Sequence, residues 1–229
     1  MIRRDYILRM IEEFVRALAR INAAKQRQKW DEASGDLDTE FKRLAGINAQ
    51  EAAQMSETEL LARVVRGEPT HLVRDKILML TTLLKESGDV ALAQDQSEKA
   101  HACHLKSLHL LLDTLGRGEI FECPEFVPKV EMLVTALQVT TLARGTHAML
   151  MRHYERTGEF ARAEDALFAL LEAEPDNEGI VEFGRLFYQR LLSQSEAALI
   201  AGALPRGEVE EGLKGLSSRP ARRPPGGQA

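Results

Sequence analysis

Apolar residues recur along this chain at helical intervals. Ile7, Ile11, Phe14, Leu18 and Ile21 step by 4, 3, 4 and 3, which sets them on one stripe of a long helix over about residues 3–29. Met10 and Val15 widen that stripe, as expected of a helix packed on its own domain. A second helix is predicted from Asp36 to Ala45, closed by Gly46. Ser56 with Glu59 three residues on forms a capping box that opens a third, ended by Gly67. From Thr70 to Ser87, Leu72, Val73, Ile77, Leu80, Leu83 and Leu84 share a face, and Gly88-Asp89 predicts a break. Further helices are predicted over about 90–115, 125–144, 146–157, 159–173 and 177–203.

No strand pattern emerges, so the fold class is all-α. One helical domain is expected over 1–204, with N-terminal helices to 69 and repeat-like hairpins over 70–204. Residues 205–229 end in Pro, Gly and Arg and read as a disordered tail.

The stretch "YERTGEFARAEDALFALLEAEPDN" carries the most specific pattern. Gly158 suits the corner of a helix hairpin, because the turn needs a positive φ. Ala163 and Ala166 are small enough for two helix backbones to approach, and Pro175 stops the second helix. With Leu150, Tyr154, Phe160 and Leu167, these residues resemble the tetratricopeptide repeat, a 34-residue helix pair. The pattern departs from that family at His147, Met151 and Leu170. A weaker copy lies 70 residues upstream, with Leu84, Gly88, Val90 and Ala93 in the places of Tyr154, Gly158, Phe160 and Ala163. The resemblance implies an irregular tetratricopeptide-like array of hairpins beside a long N-terminal helix. It also implies a groove lined by the first helix of each pair: Thr82, Lys85 and Glu86 from the weak copy, Arg152, Glu155 and Arg156 from the clear one. The whole chain further resembles an uncharacterised bacterial family of helical proteins, in its "RRDYILRMIEEF" and "YERTGEFARAEDALFALLE" segments. That resemblance supports the fold and implies no chemistry.

Composition agrees with an all-helical chain: 44% of residues are hydrophobic but only 5% aromatic. No run approaches the ~20 apolar residues that span a bilayer, and the N-terminus is not a signal peptide, so no membrane partner is expected. Cys103 and Cys123 make no disulfide framework, and a reducing cytoplasm is the expected location. The net charge of −5 is uneven: +5 over residues 1–30, +2 over 206–229, and −12 between them. An acidic body argues against nucleic acid as a partner, and a basic first helix can dock on that body.

Candidate chemistry is sparse. Glu98 and His101 have the i, i+3 spacing of carboxylate-bridged di-iron bundles, with Cys103 and His104 beside them. The second motif such a site needs is absent, since Glu68 and His71 are interrupted by Pro69. Three clustered groups fall short of a zinc set. No phosphate-binding, dinucleotide or nucleophile-elbow motif occurs. The expectation is therefore a scaffold or adaptor that binds a protein or peptide, with no catalytic, cofactor or metal residues. A metal-binding or enzymatic bundle, or a homodimer through the N-terminal helix, is the alternative.

Overall fold

In a computed structural model of the chain, residues 2–66, 70–117, 122–137 and 142–218 are described, with side chains from residue 7 in the first segment and residue 72 in the second. All regular structure among them is helical, packed in hairpin-like pairs. The chain falls into two compact units, 1–141 and 142–229, where the pattern had suggested one domain over 1–204.

The first unit holds α1 (Ile2–Gln26), α2 (Trp30–Ala45), α3 (Ala49–Gln54), α4 (Glu57–Val65), α5 (Thr70–Ala93), α6 (Ser97–Gly116) and α7 (Val130–Leu137). The apolar stripe of α1 is buried through Met10, Phe14, Leu18 and Ile21 against Leu37 and Phe41 of α2 and Leu80, Leu83 and Leu84 of α5. Full burial of a side chain such as Phe14 or Ile21 stabilises the unit by about 1.5–3 kcal/mol. Phe14 also meets the Phe126 ring edge-on, at 5.2 Å. Gly46 closes α2 in the left-handed region, and Ser56 and Glu59 cap α4 reciprocally.

The predicted break at Gly88 does not occur. Helix α5 runs through it to Ala93, and the turn falls at Gln94–Gln96, where Asp95 takes φ +60°. Gly88 is instead the point where α6 approaches α5. A Cβ there would lie 2.4 Å from the His104 ring. The register that made Gly88 a hairpin corner is thus corrected. The helix expected over 125–144 is shorter: the segment before Val130 is irregular, and residues 138–141 lie outside the described set.

The second unit holds α8 (Arg144–Thr157), α9 (Phe160–Ala173), α10 (Glu178–Leu192), α11 (Glu196–Ala201) and α12 (Arg206–Ser217). Here the hairpin forms as the residues demand. Gly158 ends α8 with φ +79°, and Ala163 and Ala166 are buried with Tyr154, Phe160 and Leu167. The helix expected over 177–203 is divided at Ser193–Ser195 into α10 and α11.

The tail expectation is overturned over residues 206–217, which form α12. Val209 and Leu216 are buried, Gly212 packs on the Tyr188 ring, and Leu216 lies against Gly184. Arg206 donates to the carbonyls of Leu192 and Gln194, so the chain is held where α12 begins. Residues 219–229 lie outside the described set.

Candidate functional site

Helix α5 carries Thr82, Lys85, Glu86 and Asp89 at offsets of 3, 4 and 7 from the first, and so on one face. That face meets α1 on one side and α6 on the other. Lys25 of α1 reaches both acids, hydrogen-bonding Glu86 and lying 2.6 Å from Asp89 Oδ2. Lys85 lies 2.9 Å from Glu86 Oε1 and 2.9 Å from Asp89 Oδ2. His104 of α6 places Nε2 3.1 Å from Asp89 Oδ1. Two ammonium groups thus face two carboxylates, with the His104 imidazole closing the set.

Electrostatics follow from that geometry. Burial acts to raise the Asp89 carboxyl, but the His104 and Lys25 hydrogen bonds and the charges of Lys25 and Lys85 hold it well below the usual carboxylate range. Burial acts to lower Lys85, but Glu86 and Asp89 outweigh it and raise the ammonium above its ordinary value. Every carboxylate oxygen of the cluster has a donor. Lys85 retains one N–H beyond its two partners.

Above this cluster lies a half-open cavity of about 630 Å³. Its walls come from α1 (Ile11, Val15, Leu18), from the 124–128 segment with Phe126 and Val127, and from Met132 of α7. Thr82, Lys85 and Glu86 form its polar side. The Thr82 hydroxyl is shared between the carbonyls of Leu78 at 2.9 Å and Phe126 at 3.3 Å, which ties the 124–128 segment to α5. Val15 and Met132 are 45% and 49% exposed, so the apolar wall opens outward.

The six residues read from sequence as one groove are divided. Thr82, Lys85 and Glu86 line the cavity of the first unit. Arg152, Glu155 and Arg156 lie on α8 of the second. There Glu155 is engaged by Arg190 of α10 through two hydrogen bonds, at 2.6 and 2.8 Å, while Arg152 and Arg156 are exposed.

The candidate metal residues do not converge. His104 turns to Asp89, and Cys103 is buried with its Sγ 3.8 Å from the Ser87 hydroxyl. Among the described residues no three His, Cys, Asp or Glu side chains group as a metal set. Glu68 and His71 lie outside the described side chains. Burial raises the thiols of Cys103 and Cys123, which favours the protonated, unreactive form. Both cysteines are free.

Sequence reasoning missed Lys25, Asp89 and most of the cavity wall. Lys25 and Asp89 are 64 residues apart, and no local pattern pairs them. Most of the 124–128 wall was expected to be the first turn of a helix over 125–144, where the backbone is instead irregular.

Among the described residues no helix is long and apolar enough to cross a membrane. No curated protein and no solved structure matches the chain. The model of a family of unknown function (DUF6483) matches residues 1–220.

Proposed function

The chain belongs to this family of unknown function, and we propose that it is a non-catalytic helical scaffold that binds a protein segment at the cavity beside α1. The observation that carries this reading is the cavity's two-sided chemistry. Its outward wall is apolar and partly exposed through Val15 and Met132, as helix-docking grooves are. Its polar side is already satisfied internally, apart from one spare Lys85 donor. An enzyme would need a group left free to react, and the partnering within the Lys25–Lys85–Glu86–Asp89–His104 cluster supports a structural role instead.

The α8–α9 hairpin, with its Gly158 corner and buried Ala163, supports a tetratricopeptide-like reading of the second unit. On that reading Arg152 and Arg156 are exposed contacts of the same scaffold. The free cysteines support a reducing cytoplasm as its location.

Photo-crosslinking tests the docking site. A benzophenone side chain placed at position 15 or 132 of the whole protein, in extracts of its own cells, should yield a discrete crosslinked polypeptide. Position 92, exposed and away from the cavity, should not. The same weak smear from all three positions would sink the reading.

A further inference from the structure

The occupant of this face is, we propose, helix α1 of a second copy of the chain, packed antiparallel about a twofold axis beside Val15. This rests on the docking reading above and names its partner.

Helix α1 has a second stripe beside the buried one. Leu8, Ile11, Val15 and Ala19 step by 3, 4 and 4. Leu8 is 51% exposed, Val15 and Ala19 are exposed as well, and Ile11 is only partly covered. The cavity flanks this stripe on one side, so a helix laid along α1 would also touch Met132 and the 124–128 segment. A helix with apolar residues at this spacing is what such a trough fits. The chain itself presents one at the trough's own edge.

A twofold axis at Val15 sets Val15 against Val15 of the second copy and small Ala19 against larger Ile11. The two helices can then interdigitate. The charges on the opposite flank suit the same register. Glu12 and Arg16 are both exposed. Among the described residues the Glu12 carboxylate has no ion pair, and Arg16 uses only its Nε, toward the Glu12 backbone carbonyl at 3.3 Å. In the antiparallel pair Glu12 of each copy lies alongside Arg16 of the other, so the contact forms twice. A lone helix pair falls below the ~1,000 Å² of a stable interface. The trough walls of both copies supply the additional area.

Charge reversal tests the register in the full-length protein. The wild type should sediment as a dimer at concentrations up to ~100 µM. Glu12→Arg alone gives two arginines facing two arginines, and Arg16→Glu alone gives four facing glutamates. Each should weaken association by about tenfold or more, with helical signal unchanged. An equal mixture of the two variants should restore a mixed dimer to within about threefold of the wild type. Val15→Glu should give a folded monomer. A monomeric wild type would overturn the second-copy proposal. So would a dimer that survives Val15→Glu, or a mixture that fails to recover. The docking reading is judged separately: a discrete product from positions 15 and 132 with a mass other than that of two chains keeps it without the dimer, and no product removes both.

Discussion

Gly88 is buried in the penultimate turn of α5, where helix propensity alone favours alanine by about 1 kcal/mol. Packing reverses that sign. A Cβ at position 88 would meet the Cδ2 and Nε2 atoms of His104, each at 2.4 Å, and that ring is almost fully buried. Gly88→Ala should therefore destabilise the first unit by about 1–3 kcal/mol, read from urea unfolding. A gain in stability would deny the close approach of α6. Asp89 makes a second residue-scale prediction. Its native carboxyl lies below the ordinary value of 3.8, so the unfolded chain binds the proton first as pH falls. Its contribution is whole above that ordinary value and is lost as pH drops through the native one. Lys85 lies above its ordinary 10.5, so its contribution is present below pH 10.5 and is lost as pH rises through the native value. Asp89→Asn should cost about 3 kcal/mol at neutral pH, the lower end for a broken buried pair. It should also flatten the acid limb of stability against pH. Parallel curves for wild type and variant would remove Asp89 from that role.

At the scale of elements, α12 is the piece that local reading lost. Val209, Leu213 and Leu216 stand at helical spacing, but the Pro, Gly and Arg that follow obscure so short a pattern. Only the face of α10, with Gly184 and Tyr188, says what it packs on. Truncation after Leu204 should uncover that face and lower the melting temperature, since Val209 and Leu216 are each worth about 1.5–3 kcal/mol. Truncation after Ser218 keeps α12 and should leave melting unchanged. Equal melting of the two truncated proteins would contradict the packing of α12. The α8–α9 hairpin was legible because its demands are local: Gly158, Ala163 and Pro175 all act within one turn or one contact. The α5–α6 hairpin was misplaced by about seven residues, because sequence does not distinguish a glycine at a corner from one at a helix crossing. Ala163→Leu should cost about 1–3 kcal/mol through overpacking at a fully buried position, and an unchanged melting curve would exclude a close contact there.

For the molecule as a whole, periodicity was enough for the all-helical class and not enough for its division. The domain boundary near residue 141 falls beside a segment with apolar residues of its own, so no shift of composition marks it. The candidate site was half legible. Thr82, Lys85 and Glu86 do line a cavity, but the repeat register that pointed to them rested on the wrong turn. Lys25 and Asp89 are brought together only by tertiary packing. Each unit has buried apolar residues of its own, from Phe14 and Leu83 in the first to Phe187 and Leu170 in the second. Expressed separately, residues 1–141 and 142–218 should each retain helical signal and unfold cooperatively. A non-cooperative fragment would mean that unit depends on the rest of the chain.

The meeting of Gly88 with the His104 ring has a consequence for descent. Two positions that share one volume cannot drift independently. A relative that has gained a side chain at position 88 should have lost bulk at position 104, and with it the donor to Asp89, whose own carboxylate would then be free to change. Positions 88, 89 and 104 should therefore substitute together. A relative combining a large residue at 88 with histidine at 104 would have to hold these two helices farther apart.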